Sequence, residues 1–201
     1  NFSVIKNKMT ELNGVDYIGL SSSELHGRNF DQETSRSAVG QPIGSFFVYE
    51  ADGLFQSDAE IQNYKNDRGE LLQPNAKPGD IRFKDLNGDG VINSDDRDFK
   101  GNPLPDCSMG YKNFDVSAFF QGVFGNEVYN LTNYLGEFYN QAQYNKNSTI
   151  LDAWRPDNTD TDIPRVTLDD PNNNIRPSTY YIHNASFVRL KNLKVGYTLP
   201  D

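Results

Sequence analysis

The sequence predicts a mainly β protein in which short strands are joined by long polar loops. Several runs alternate apolar and polar residues, which is the period of a strand with two different faces. Glycine, proline, asparagine and aspartate separate these runs and are typical of turns. Aromatic residues make up 12% of a chain that is otherwise polar. A length of 201 residues is enough for one domain or for part of a larger one.

The first half of the chain is predicted to contain two strands and one helix. Residues 1–10 alternate loosely and could end a strand, whereas residues 11–40 are polar, carry four glycines and are expected to form a loop. The β-rich run Ile43–Tyr49 predicts a strand. Asp58 is expected to cap a short helix that ends near Tyr64. Residues 80–84 alternate again and predict a second strand.

The second half carries the clearest alternation, in residues 113–121. Residues 127–154 are expected to be helical in two pieces, residues 155–178 to form a polar loop, and residues 185–199 to form a long final strand. In a soluble sandwich such strands have one core face and one wet face. In an outer-membrane barrel the apolar face meets lipid and the polar face meets the lumen. Periodicity alone does not separate these architectures.

A calcium loop is predicted at residues 85–96. Oxygen-bearing side chains recur through it, Gly90 stands where the chain must turn sharply, and the spacing lets a short loop wrap one hard cation. Asp96 stands where a bidentate Glu is usual, and no convincing helices flank the loop. The alternative to a calcium loop is an ordinary turn, rich in asparagine, aspartate and glycine, that binds no metal. The candidate ligands are Asp85, Asn87, Asp89, the backbone carbonyl of Val91, and Asp96.

Composition argues against several classes of function. The net charge of -9 without basic clusters argues against nucleic-acid binding. Cys107 is the single cysteine, so no internal disulfide forms. The sequence contains no run of about 18 apolar residues, so no transmembrane helix is predicted. Neither His26 nor His183 has partners that suggest a catalytic set, so no catalytic residues are predicted and the chain is not expected to be an enzyme.

Seven blocks of the sequence, in order along nearly the whole chain, resemble the SusC/RagA family of TonB-dependent outer-membrane transporters. They include Asp52-Gly-Leu-Phe-Gln, Pro78-Gly-Asp-Ile-Arg-Phe-Lys-Asp-Leu-Asn-Gly-Asp-Gly-Val-Ile and Ser186-Phe-Val-Arg-Leu-Lys-Asn-Leu-Lys-Val-Gly-Tyr-Thr-Leu-Pro. The resemblance implies that residues 1–201 are part of the C-terminal half of a large antiparallel transmembrane β-barrel of about 22 strands. Its long extracellular loops would contain the short helices and the calcium loop.

The same resemblance implies a function and a set of partners. The intact protein would be an outer-membrane importer of oligosaccharides or peptides, covered by a SusD-like lipoprotein lid and energised through TonB. The plug domain and the other strands are absent from this sequence, which has no initiator Met and is expected to be a fragment. A structural Ca²⁺ would brace one outward-facing loop, and outer-membrane lipid would surround the barrel.

A second function remains open on the residues alone. An acidic chain with many tyrosines and asparagines and a calcium loop also suits a soluble, secreted, calcium-stabilised module that binds glycans. A requirement for detergent distinguishes the importer from this module.

Overall fold

The computed structural model of the protein describes residues 7–21, 33–100, 107–113, 116–138 and 145–195, and within them the fold is mainly β. The strands are β1 Tyr17–Ser21, β2 Glu33–Ala38, β3 Ser45–Tyr49, β4 Ala51–Leu54, β5 Ile81–Phe83, β6 Arg97–Lys100, β7 Cys107–Asn113, β8 Val116–Val123, β9 Glu127–Tyr129, β10 Ile182–Asn184 and β11 Phe187–Val195. The helices are α1 Asp58–Asn63 and α2 Leu131–Gly136, with short 3-10 helices at Ser94–Asp96, Ser148–Asp152 and Thr179–Tyr181.

The strands form small antiparallel sheets. One sheet of four strands has the order β1-β2-β3-β6, and one of three strands has the order β11-β8-β7. Two-stranded sheets pair β4 with β5 and β9 with β10. The strands that meet are often distant in sequence, so the chain returns repeatedly to the same region.

The buried core lies between the β4–β5 pair, helix α2 and the loops that follow it. Tyr181 at its centre is fully buried, and its ring lies 5.3 Å from that of Tyr129 and 5.6 Å from that of Tyr134 between centroids. Burying such large rings gives short elements a common packing surface. The core cluster consists of Leu54, Ile81, Phe83, Tyr134, Phe138, Trp154, Ile175 and Tyr181.

A buried polar network joins strand β5 to the loop before the last 3-10 helix. The fully buried carboxylate of Asp80 pairs with the guanidinium of Arg165, with 2.6 Å between Nε and Oδ1. Asn174 donates its amide to Asp80 Oδ1 at 2.9 Å, and its own amide oxygen accepts the Ile81 N–H at 2.8 Å. The backbone N–H of Lys77 donates to Asp80 Oδ2. A buried charge is tolerated when it is paired and hydrogen-bonded in this way.

The three-stranded sheet exposes large apolar side chains to solvent. Phe120 of β8 is 44% exposed, and Val188, Leu190 and Leu193 of β11 are at least half exposed. None of these four residues belongs to the core cluster. The sheet therefore presents an apolar face that the described part of the chain does not cover.

A bulge in β11 keeps this face continuous. Leu190 is opposite Phe120, Asn192 is opposite Phe119, and the register shifts between them. Leu190 and Leu193 are three residues apart, which would place them on opposite faces of a regular strand. The extra residue, Lys191, restores Leu193 to the face of Leu190.

Most of the strongly patterned elements are confirmed. Strands β3, β5, β8 and β11 lie within or overlap the runs that predict them, and helix α1 lies in its predicted range. The cap of α1 is Ser57 rather than Asp58, because the Ser57 hydroxyl accepts the Glu60 N–H.

The expectation that residues 11–40 form only a loop is wrong, because β1 and β2 lie there and pair with each other. Their serines, threonine and glycine give no apolar alternation. The pairing is stabilised by Arg36, whose guanidinium carbon lies 3.7 Å from the ring centroids of both Tyr17 and Phe47. Cation–π contacts of this kind stabilise by about 0.5–2 kcal/mol and leave no periodic signal in the sequence.

The helical prediction for residues 127–154 is confirmed in part. Helix α2 and the 3-10 helix Ser148–Asp152 are present, but residues 127–129 form strand β9, which pairs with β10. Leu151 is 72% exposed, whereas Trp154 is buried.

Several sequence predictions concern residues that lie outside the described part of the chain. They are residues 1–6, residues 22–32 with His26, residues 114–115 of the alternating run, and residues 196–199 of the final predicted strand. None of the helices among the described residues has the length and apolar character needed to cross a membrane.

Candidate functional site

The predicted calcium loop connects β5 to the 3-10 helix that precedes β6. Asp85 begins it and organises its first turn, since its two carboxylate oxygens accept the N–H groups of Gly88 at 2.7 Å and Gly90 at 2.8 Å. Both glycines have positive φ, +74° and +86°, which side chains with a Cβ rarely adopt. A Cβ at Gly90 would also lie 2.8 Å from the amide nitrogen of Asn66.

Asp89 occupies the exposed middle of the loop. Its Oδ1 accepts the Val91 N–H at 2.8 Å, and its Oδ2 accepts amide hydrogens from Asn87 at 3.2 Å and Asn93 at 3.1 Å. The Val91 N–H, with these amides, holds the pKa of the Asp89 carboxyl below its ordinary value. The group is therefore a carboxylate at neutral pH and available to a cation.

Asp96 closes the loop from a fully buried position. Its Oδ1 accepts the Leu86 N–H at 2.8 Å, and its Oδ2 accepts the Asn93 N–H at 2.7 Å. Asn93 in turn caps the 3-10 helix by accepting the Asp95 N–H, so Asn93 and Asp96 form a capping box. Asp96 thus ties the beginning of the loop to its end.

The structure brings the predicted ligands into one hydrogen-bonded loop. The Asn87 side-chain oxygen accepts the Asp89 N–H at 2.9 Å, and the Val91 carbonyl accepts a long bond of 3.4 Å from the Asn93 amide. Within the described residues, no three acidic, histidine or cysteine side chains are grouped closely enough to hold a metal by themselves. A cation here would therefore need the Asn87 amide oxygen and the Val91 carbonyl as well as the acids.

The donor set fits a hard cation. All five candidate ligands offer oxygen, which Ca²⁺ prefers. A carboxylate has about four lone-pair positions, and the loop hydrogen bonds of Asp85 use two of them. Asp89 and Asp96 each accept three hydrogen bonds, so two positions remain for a metal at Asp85 and one at each of the other two acids.

Sequence reasoning missed a cleft of about 500 Å³ between β4, α2 and the last 3-10 helix. Its wall includes the aliphatic side chains of Leu54, Ile81 and Ile163 and the side chains of Glu137 and Tyr180. The residues that form it come from positions 51 to 183 along the chain, so no local motif marks it. His183, interpreted from the sequence as an ordinary histidine, lies at the edge of this cleft.

Glu137 is the buried acid of the cleft. It is 7% exposed, and its Oε2 accepts the Tyr180 hydroxyl at 2.6 Å while its Oε1 accepts the Thr149 hydroxyl at 3.2 Å. Burial, and the hydrogen bond to Glu137, raise the pKa of Tyr180 far above its ordinary value. Tyr180 therefore stays protonated and donates to the carboxylate, which fixes the position of Glu137.

Comparison with known proteins shows what the chain is similar to. No family model matches it. It is 37% identical over its whole length to TonB-dependent receptor P3 of Formosa agariphila and 36% identical to receptor P26 of the same species. It is 27% identical over 97% of its length to TonB-dependent receptor SusC of Bacteroides thetaiotaomicron. A solved structure of the RagAB peptide transporter covers 95% of the chain with a TM-score of 0.56 and 24% identity.

Fold and sequence together define a segment of an outer-membrane receptor. The chain belongs to the TonB-dependent receptors. It spans 19% of the length of the first two of these curated relatives, and 19% of the matching RagAB chain.

Proposed function

We propose that the chain is part of a TonB-dependent importer that carries oligosaccharides or peptides across the outer membrane. The observation that carries this proposal is the match along its whole length to TonB-dependent receptors. The name of SusC identifies that protein as a TonB-dependent receptor, and the RagAB structures are those of a peptide transporter. Because both relatives are of one type, we extend the role of transporter to the receptor that contains this chain.

The three-stranded sheet supports a place for this segment in the barrel wall. A barrel strand exposes apolar side chains to lipid on one face and polar side chains on the other. Val188 and Leu190 alternate with Arg189 along β11, and all three side chains are exposed. We assign Phe120, Val188, Leu190 and Leu193 to the lipid-facing side.

We further propose a structural Ca²⁺ in the loop of residues 85–96. Asp85, Asn87, Asp89, the Val91 carbonyl and Asp96 would hold it. The ion would bind the carboxylates of the loop together with its amide and carbonyl oxygens and would fix the connection between β5 and β6. We assign the ion an architectural role, since no residue of the loop lines the cleft described above.

The proposed partners are TonB, which would act through parts of the receptor beyond this chain, and a SusD-like lipoprotein that would cover the extracellular side. No chemical step is required of the protein itself, because the relatives are receptors and transporters rather than enzymes.

Growth and uptake in the native bacterium test the proposal. Deletion of the receptor gene should abolish uptake of one labelled class of oligosaccharide or peptide, and the wild-type gene should restore it. Depletion of TonB should cause the same loss. Unchanged uptake of every oligosaccharide and peptide class in the deletion strain would contradict an importer.

Purification tests the proposed lid. A tagged receptor solubilised in mild detergent should bring down a SusD-like lipoprotein in about equal amount. A second tagged outer-membrane protein from the same cells serves as the control. Recovery of the receptor without any lipoprotein would remove the lid from the proposal.

A further inference from the structure

The cleft beside α2 is lined by aliphatic side chains on one side and by an aromatic ring on another. Leu54, Ile81 and Ile163 supply an aliphatic side, and the ring of Tyr180 supplies an aromatic side. Its volume of about 500 Å³ lies in the range of small-ligand sites, which are mainly apolar with a few placed polar groups. An apolar group fits such a lining.

The charged groups of the cleft have one sign. Glu137 and Asp162 carry carboxylates, and no Lys or Arg is among the described residues that line the space. His183 is the one imidazole among these lining residues. The chain as a whole has a net charge of -9, which adds to the negative potential.

The two acids differ in burial, and together they suit the cationic end of a ligand. Glu137 is buried and held by the Tyr180 and Thr149 hydroxyls, so it is fixed before any ligand arrives. Asp162 is exposed at the rim and can steer a cation inward. A cation near the ring of Tyr180 would gain a further attraction to its face.

We infer that this cleft binds the side chain of a lysine or arginine residue in a peptide. The aliphatic stem would lie along Ile163 and Leu54, and the cationic group would lie near Glu137 and Asp162. The inference rests on the proposed function, because it specifies which peptide cargo the receptor prefers. A neutral sugar would use the hydrogen-bonding groups but would gain nothing from the uniform charge.

Peptide binding to the intact receptor in detergent tests this inference. The probe is a tripeptide of glycine, lysine and glycine with both ends blocked, and the matched probe replaces lysine by norleucine, which keeps the stem and removes the charge. The lysine peptide should bind at least about tenfold more tightly, a ratio expected when a buried carboxylate gains its partner charge. Its affinity should also fall as salt is raised.

Matched variants locate the binding. Asp162→Asn should weaken binding of the lysine peptide by about two- to fivefold, the range of an exposed ion pair. Asp160→Asn removes the same charge from an exposed residue that does not line the cleft, and it should leave the affinity unchanged. Glu137→Gln should remove the preference for lysine over norleucine.

The result that would overturn the inference is equal binding of the two peptides, or equal effects of Asp162→Asn and Asp160→Asn. Binding of a neutral oligosaccharide to the receptor, without binding of either peptide, would also overturn it. These outcomes are distinct from failure of the importer proposal. Uptake that is unchanged by deletion of the receptor or depletion of TonB, with lysine selectivity of binding intact, would reject the importer alone. Receptor-dependent and TonB-dependent uptake without lysine selectivity of binding would reject the cleft assignment alone.

Discussion

Acidic residues of this chain have very different surroundings, and their substitutions should have different effects. Asp89 is exposed within the predicted metal loop, Asp96 is buried at its end, and Asp80 is buried in the polar network. The calcium-loop pattern of residues 85–96 identified Asp89 and Asp96 in the sequence, because the two lie close together along the chain. Asp80 was not identified, since its partners Arg165 and Asn174 lie 85 and 94 residues away and no short pattern connects them.

Replacing Asp89 tests the metal loop. Asp89→Ala should weaken Ca²⁺ binding and reduce the rise in melting temperature that Ca²⁺ causes in the receptor. A ligand at 100 times its dissociation constant stabilises by about 2.7 kcal/mol, so the difference between calcium and chelator is measurable by calorimetry. Asp95→Ala is the control, because it removes the same charge from an exposed residue that is not a proposed ligand. A wild-type receptor that melts identically with calcium or chelator would contradict the site.

Replacing Asp80 tests the polar network. Asp80→Ala should lower the free energy of unfolding by about 3–5 kcal/mol, because it leaves the Arg165 charge without its partner in a buried setting. Asp157→Ala breaks the exposed pair with Arg155, in which the Asp157 side chain is 81% exposed, and should change it by less than about 1 kcal/mol. Urea denaturation of both variants measures the difference. Similar losses in the two variants would show that burial of the Asp80 pair has no special effect.

Secondary-structure elements were predictable where apolar residues repeat. Strands β8 and β11 follow from alternation, and α1 follows from its helix formers, although its cap is Ser57 rather than the predicted Asp58. Strands β1 and β2 were missed, because paired backbones and the stacked Arg36 stabilise them without an apolar face. The bulge in β11 could not be predicted either, since it depends on the register with β8.

The apolar face of the three-stranded sheet can be tested by charge insertion. Leu193→Arg should destabilise the receptor in lipid vesicles by up to about 2–4 kcal/mol, the cost of a lipid-facing Arg near the membrane centre. Asn192→Arg changes the neighbouring residue, which points to the opposite face, and should have a much smaller effect. Denaturant titrations of vesicle-embedded receptor measure both. Equal costs would contradict the assignment of Leu193 to lipid.

The ion pairs of Glu50 with two lysines predict that the stability of the protein depends on pH. Lys100 and Lys84 both bind the Glu50 carboxylate, at 2.6 Å and 2.5 Å, and lower the pKa of Glu50 from its ordinary value of 4.5. A carboxyl whose pKa is lowered by folding stabilises the protein above the unfolded pKa, and that stabilisation is lost as the pH falls. Stability should therefore decline as the pH falls below 4.5.

Glu50→Gln provides the control for this pH dependence. The variant should lose less stability than the wild type over the same acid range, because it has no carboxyl to protonate there. Thermal melts at a series of pH values measure the two slopes. A steeper acid loss in the variant would contradict the role assigned to Glu50.

At the scale of the whole molecule, the sequence predicted the family and the outer-membrane location, and the relatives confirm both. It did not predict the cleft, because residues from five separate segments form it. A surface assembled by folding has no signature in any single window of sequence. The core was also unpredictable in detail, since loop residues such as Ile175 and Trp154 contribute to it as much as the strands do.

Detergent partitioning distinguishes the importer from a soluble glycan-binding module. The full-length gene product should separate into the detergent-rich phase, because the apolar face of the β8 and β11 strands needs an apolar environment. A periplasmic protein from the same cells provides the control. Recovery of the receptor in the aqueous phase without detergent would favour the soluble module.

The separation between Asp80 and its partners has a consequence for the order of assembly. Arg165 and Asn174 leave the ribosome 85 and 94 residues after Asp80, and closing so long a segment carries a large entropic cost before any contact compensates for it. We therefore expect the Asp80 network to form late in folding and to stabilise a structure whose shorter-range strand pairs have already formed. A nascent chain halted before Arg165 would hold Asp80 without its counter-charge and would be a natural target for chaperones and proteases.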